Sequence, residues 1–345
     1  MAVQRLAMIG ARGHYNYALR ALPDLPQVRL VGVADGAADD PATPIVAWAS
    51  QHGHQPQVFT DYRQMLDQTL PDAVVVCGPF ERHAEMTMQA IQRGIHVFVE
   101  KPAALTFEEL EQLRAVLARN SQVHLAGMMG IRYDPGFYTA WKLIRSGAIG
   151  DVRLLNARKS YKLGRRPGYY HDRRTYGGTI PWVGSHAIDW VLWMSGHKVE
   201  QIYAQHSSHA NENHGTMERA AVCELGLSDG RFASISIDIF RPARAPSHGD
   251  DWIRVVGTSG VIEARNNSLC LINDDNDGTQ PVPVTSDRQV FVDFVDHIDG
   301  RRTGLIDARQ TLVLTEVCLL ARQSADEGGR VIEIPGEREL RFPQR

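Results

Sequence analysis

Short apolar runs alternate with helix-period stretches through the first 127 positions. Arg5 to Ile9 reads as a strand, and an amphipathic segment follows as far as Leu22. Val28 to Ala34 makes a second strand. Val58-Phe59, Ala73 to Val76, the run at Val97 and His124 to Ala126 continue the series, with helices from Asp61 and over Glu81 to Arg93. Near-continuous apolar strands are buried on both faces, and regular strand-helix alternation calls for a parallel, doubly wound sheet. The fold class expected is α/β. The first domain closes near Gly127, giving a 1–127 domain and a second over 128–345 whose terminal segment can pack back on the first.

The pattern changes after that point. Pro135 to Ser146 has helical periodicity and Gly147 stops it; a strand starts at Val152. An apolar run after Gly184 suits a helix packed in a core. Strand-like runs over Ala220 to Leu227, Ala233 to Ile239 and Trp252 to Gly257 make a sheet domain. Helices at Val290 to Ile298 and Ile306 to Ala325 and a strand at Val331 to Ile334 complete it.

Composition narrows the function classes. A formal charge of -3 with 22% charged residues gives no basic surface for nucleic acid, and no apolar stretch is long enough to span a bilayer. Cys77, Cys223, Cys270 and Cys318 are scattered without a CxxC, so reduced thiols and a cytoplasmic location are expected; no export signal precedes Leu6. His206, His209 and His214 lack an acid or cysteine at ligand spacing, and no metal is expected.

Candidate chemistry gathers at strand ends. Gly10-Ala11-Arg12-Gly13-His14-Tyr15 is a glycine turn between strand and helix, with Arg12 where a GxGxxG turn has its second glycine and Tyr15 where it has its third. Glycines there let backbone amides approach a pyrophosphate. Asp35, ending the second strand, stands where an acid receives ribose hydroxyls, and no arginine adjoins it in sequence, which favours NAD over NADP. Pro79 and His83 form another loop at the same sheet end, readable as cofactor contact or as turn chemistry. His96-Val97-Phe98-Val99 runs straight into Glu100-Lys101-Pro102, and Thr106 with Glu109 opens the next helix as a capping box. A charged pair at the carboxyl end of a buried parallel strand faces the ligand crevice. Pro102 disfavours a helical Lys101, so the lysine is expected in an extended conformation.

These residues resemble the Gfo/Idh/MocA oxidoreductases, which include glucose-fructose oxidoreductase and inositol dehydrogenase. Gly10, Gly13, Asp35, Pro79, His83 and above all Glu100-Lys101-Pro102 carry the resemblance. It continues through Arg132-Tyr133-Asp134-Pro135, Ser146 to Gly150 and the surroundings of His186. It implies a Rossmann domain binding NAD(P), through Gly10, Arg12, Gly13, His14, Tyr15, Asp35, Pro79, His83, Glu100 and Lys101. It also implies a sugar, cyclitol or related polyol as substrate, and a C-terminal α/β domain with an open, mainly antiparallel sheet that often mediates oligomers, here a homodimer or homotetramer.

Two stretches of the second half bear on the chemistry. Arg158 to Arg174 carries seven cations against the single acid Asp172, and its glycine, proline and tyrosine make it loop-like. It reads as a binder of a substrate carboxylate, sulfonate or phosphate, or as a solvated or subunit-facing basic face. Trp182, His186, Asp189 and Trp190 share a helix face by three- and four-residue spacing. A histidine there is usually a satisfied core residue, but the resemblance matches His186 to the histidine that acts beside the lysine in inositol dehydrogenase. The aspartate those enzymes carry one turn earlier is replaced by Trp182. Lys101 and His186 are thus the expected catalytic pair, and Arg132, Lys159, Arg166, Tyr170, Trp182 and Asp189 the candidate substrate residues. The expected activity is NAD-dependent hydride transfer at a secondary hydroxyl of a sugar, cyclitol or sugar acid. An NAD-dependent glycosidase and a catalytically silent NAD or sugar sensor are the alternatives.

Overall fold

In the computed structural model, which describes residues 3–342, the apolar runs of the first half become β1 (Arg5–Ile9), β2 (Arg29–Ala34), β3 (Gln57–Phe59), β4 (Ala73–Val76), β5 (His96–Val99) and β6 (Leu125–Gly127). Between them lie α1 (Asn16–Ala21), α2 (Thr43–Gln51), α3 (Tyr62–Thr69), α4 (His83–Ile91) and α5 (Phe107–Arg119). All pairings are parallel, in the order β3-β2-β1-β4-β5-β6. Strand order reverses between β1 and β4, which opens a crevice at their carboxyl ends. Asp61 caps α3 by accepting from the Arg63 amide, and Thr106 and Glu109 form the expected capping box of α5. α2 was not read from the sequence, although Pro44 stands in its first turn.

The second half begins with α6 (Pro135–Arg145), β7 (Val152–Lys162), α7 (Arg173–Tyr176) and α8 (Ser185–Ser195), the last entered through a π-helical turn over Ile180–Gly184. It continues with β8 (Val199–Ser207), β9 (Ala220–Leu227), β10 (Arg231–Arg241), β11 (Gly249–Gly257), β12 (Gly260–Arg265), β13 (Ser268–Asn273), β14 (Asn276–Asp277), α9 (Val290–Ile298), α10 (Ala308–Asp326) and β15 (Ile332–Glu333). Nine strands form one sheet, antiparallel except where β10 runs parallel to β7. The basic stretch is not all loop: β7 continues through Lys162, because Arg158 to Lys162 still pair with β10 and β11. α8 covers one face of this sheet at β7, and Leu154, Val222 and Phe232 are exposed on the strands.

The chain divides into two units, Met1–Gly130 with Arg288–Leu312 and Ile131–Asp287 with Val313–Arg345. The return of α9 to the first unit has a packing cause: Phe291 and Phe294 each lie 5.3 Å from the Phe98 ring of β5. Among the described residues no helix is long and apolar enough to cross a membrane.

Candidate active site

In the first unit the glycine turn follows β1 at the point where strand order reverses. Gly10 and Gly13 adopt φ of +71° and +66°. A Cβ on Gly10 would lie 2.5 Å from Gly78 Cα, and one on Gly13 would lie 2.7 Å from Glu100 Cδ. Neither position tolerates a side chain, so bare backbone lies against the loops after β4 and β5. Arg12 does not reach outward. Its guanidinium pairs with Asp39 at 2.9 Å, and its amide bonds the Cys77 carbonyl.

Asp40 was missed by the sequence reading. Its carboxylate is buried, accepts the Ala11 amide at 3.1 Å and lies 3.8 Å from Arg12 Nε, forming the floor of the turn. Burial, with Asp39 and Asp35 near, pushes it up to about 6, although the Ala11 amide and Arg12 pull the other way.

Glu100 joins the turn to the end of β5. It is buried and accepts the His14 amide at 3.2 Å and the His14 ring Nδ1 at 2.9 Å. Burial alone would raise its carboxyl, but His14 and Lys101 hold it below its ordinary value. Lys101 is also buried, with Nζ 3.8 Å from Glu100 Oε1. The Lys101–Pro102 peptide is cis, which the extended-backbone argument did not anticipate. Tyr15 sits at the start of α1 without capping it.

His83, expected at the cofactor, lies instead beneath the loops. It is fully buried, with Nδ1 2.9 Å from the Pro102 carbonyl and Nε2 3.0 Å from the Gly78 carbonyl. It clamps two strand-end loops together, and burial lowers its pKa. Pro79 between them is buried and its carbonyl accepts the Arg82 amide at 2.9 Å.

Asp35 accepts the Ala42 amide at 2.8 Å and lines a groove of about 440 Å³ with Gly36, Thr60, Arg63 and Arg82. The expectation that no arginine stands near Asp35 is corrected: two approach from later in the chain. Both are paired with Glu85, Arg82 at 3.2 Å, so the groove's arginine charge is partly spent.

In the second unit, β7 places Lys159 on the side that α8 covers. Its Nζ lies 2.6 Å from Asp251 on β11, its cross-strand neighbour, and 5.3 Å from the Trp190 ring. Burial lowers the Lys159 pKa against the pull of Asp251. Asp134 stands at the start of α6 without capping it, and burial beside Asp251 pushes it up to about 6, Lys159 opposing. Asp134 and Asp251 were not chosen from the sequence; only the cross-strand register brings Asp251 to Lys159. His186 is buried on α8, one turn before Trp190.

Asp189, considered as an orienting group for His186, is engaged elsewhere: Arg132 Nε donates to its Oδ2 at 2.9 Å, and both residues are buried. Arg132 also lies 5.3 Å from the Trp193 ring and 4.8 Å from that of Phe342. The ion pair ties α8 to the segment that leads into α6. Trp182 packs 4.4 Å from the Tyr170 ring and edge-on to Tyr176, with the Arg166 guanidinium 4.9 Å from its own ring.

Sequence comparison names the source of these two architectures. Residues 4–128 match the family model of an oxidoreductase family with an NAD-binding Rossmann fold, and residues 137–263 match the GFO/IDH/MocA C-terminal domain. The chain belongs to the Gfo/Idh/MocA oxidoreductase family. A putative oxidoreductase from Thermotoga maritima is 40% identical, with TM-score 0.91 over 96% of this chain and 100% of that one. An inositol dehydrogenase homolog from Azotobacter vinelandii, solved with NAD+, has TM-score 0.78 at 20% identity over 96% and 98%. The D-glucoside 3-dehydrogenase of Escherichia coli is 24% identical over 311 residues, 83% of this chain and 86% of that protein. As a Gfo/Idh/MocA protein the chain is an NAD(P)-dependent oxidoreductase, and its glycine turn, Asp35 and the Glu100-Lys101 pair lie on the domain that the family model assigns to NAD.

Proposed function

We propose that this Gfo/Idh/MocA oxidoreductase transfers hydride between a secondary hydroxyl of a sugar, cyclitol or sugar acid and NAD. The observation carrying this reading is the buried Lys101 ammonium beside Glu100, tied by His14 to a glycine turn with no room for a side chain. That turn fits a dinucleotide: Gly10 and Gly13 give close backbone approach, and Asp35 takes the ribose hydroxyls. A nicotinamide held there supplies the hydride acceptor or donor. Lys101 holds or removes the hydroxyl proton, His186 shares it, and Glu100 fixes the lysine and the turn. NAD is preferred to NADP because Asp35 would repel a 2′-phosphate and Glu85 already occupies Arg63 and Arg82.

A panel of polyols, aldoses, sugar acids and glycosides is assayed for NADH formation. Lys101→Ala is expected to lose turnover by about 10²- to 10⁴-fold, the usual share of a positioned acid-base group, while NADH still binds. Full activity in Lys101→Ala or in His186→Ala would remove that residue from the mechanism. Trp182 in place of the family acid favours a second reading, a catalytically silent NAD or sugar binder. Steady NADH production with any substrate excludes it.

We also propose for this chain the cytoplasmic location expected from the scattered cysteines of the sequence. Its partner is a second copy of itself, seated on the open sheet face where Leu154, Val222 and Phe232 are exposed.

A further inference from the structure

The cations of the basic stretch are not equivalent. Arg158 pairs with Asp250 at 3.0 Å, Lys159 with Asp251 at 2.6 Å, Arg173 with Glu218 and Asp326, and Arg174 with Asp172. Arg166 differs. Among the described residues it has no carboxylate partner; one Nη donates to the Lys162 carbonyl at 3.1 Å, and its buried Nε has no acceptor. The guanidinium rests on two rings, 4.9 Å from Trp182 and 5.5 Å from Tyr170. Burial lowers its pKa, opposed by the phenols of Tyr170, Tyr161 and Tyr169.

A half-buried arginine with unspent donors has lost hydration without gaining an anion in return. Stacking offsets part of that loss and fixes the plane of the fork, which is the arrangement suited to bidentate oxyanion contact. Its surroundings favour the same charge. Burial lowers the pKa of the His248 ring, and Arg166, Lys162 and Lys159 lower it further; Asp251, already paired with Lys159, opposes them. The Lys162 ammonium bonds the Ala245 carbonyl and, among the described residues, no carboxylate. Trp182 stands in the π-helical turn that leads into α8, four positions before His186. Where relatives are expected to carry an acid, this chain carries a ring that holds a cation.

From this we infer that Arg166, seated on Trp182 and Tyr170 and supported by Lys162, binds an oxyanion on the sugar substrate: a carboxylate, sulfonate or phosphate one pyranose ring away from the hydroxyl handled at His186. The inference rests on the reading that the second unit binds a sugar, and it narrows that sugar to an anionic one.

The test uses matched sugars, glucose against glucuronate, 6-deoxy-6-sulfoglucose and glucose 6-phosphate, with their methyl glycosides. Binding to the NADH-loaded protein is measured by calorimetry, separately from NADH formation from NAD. At least one anionic member is expected to bind ten- to a hundredfold more tightly than its neutral counterpart. That preference should fall to near parity in Arg166→Gln, shrink partly in Lys162→Gln, survive in part in Arg166→Lys, and weaken with salt. The member that gains most names the oxyanion. Equal binding of neutral and anionic sugars by the wild type, or a preference unchanged in folded Arg166→Gln, overturns the inference while leaving hydride transfer to neutral sugars intact. Discriminating binding without NADH formation from any member would instead overturn the proposed function and support the subsite.

Discussion

Glu100 accepts both the backbone amide and the ring Nδ1 of His14, at 3.2 Å and 2.9 Å, across 86 positions of chain. One carboxylate thereby fastens the glycine turn of β1 to the end of β5 and also lies 3.8 Å from the Lys101 ammonium. The acid of the Glu-Lys-Pro stretch therefore braces the glycine turn and lies against the lysine.

Replacing it by Gln keeps the shape and removes the charge. Hydrogen bonds to charged groups are worth about 1.5 to 3 kcal/mol, so Glu100→Gln is expected to weaken NADH binding by roughly tenfold or more, read by fluorescence titration at pH 7.5. The sign with pH follows from the lowered pKa of Glu100. Its stabilising contribution is fully present above the ordinary glutamate value of 4.5 and is lost as pH falls through the lower folded value. The wild type should therefore lose melting temperature below pH 4.5 more steeply than Glu100→Gln. Equal slopes would show that the carboxylate contributes no charge-dependent stability.

Asp40 runs in the opposite direction. Its carboxyl is pushed from 3.8 up to about 6 by burial, so the folded chain binds that proton more tightly than the unfolded chain does. Stability from this group is fully present below 3.8 and is lost as pH rises through 6. In Asp40→Asn the acceptor for the Ala11 amide remains while the buried charge goes. The variant should melt higher than the wild type at pH 8, with the gain shrinking to nothing near pH 4. A gain independent of pH would assign the effect to packing.

How much of this was legible depends on how far apart the partners lie in sequence. The strand ends could be read because Glu100 and Lys101 break an apolar run, and the glycine turn because two glycines follow a strand directly. Asp40 could not, since it stands in a polar turn without periodicity and its role exists only once Ala11 is brought against it. The same holds for Asp251, which meets Lys159 through strand register, and for Arg82, which bonds the Gly36 carbonyl across 46 positions and so brings an arginine to Asp35. Charge and glycine make the basic stretch look like loop, yet pairing with two neighbouring strands holds Arg158 to Lys162 extended.

The Arg132 and Asp189 pair makes a separate prediction. Both are buried, and Arg132 Nε donates to Asp189 Oδ2 at 2.9 Å. Removing one partner leaves an uncompensated charge in the core, a loss of about 3 to 5 kcal/mol. Arg132→Met and Asp189→Leu should each unfold well below the wild type in urea, and the double variant should recover most of the loss. If the two single losses simply add in the double variant, the pair has no coupling and each residue acts through other contacts.

Trp182 allows the family pattern to be restored at one position. By exchange alone, Trp182→Asp would return an orienting acid to His186 and raise activity. The packing argues otherwise. Trp182 is buried, 4.4 Å from Tyr170 and 5.9 Å from Tyr176, with Arg166 over its face. Truncating a buried tryptophan costs about 3 to 5 kcal/mol, and a new carboxylate would pair with the arginine stacked there before it reached the histidine. The expected outcome is a fall in melting temperature of roughly 6 °C or more, with kcat/KM lowered as well. Trp182→Phe, which keeps a ring beneath Arg166, should retain most of both. A Trp182→Asp variant that melts like the wild type and turns over faster would show that the site tolerates the family acid and that the aromatic seat is dispensable.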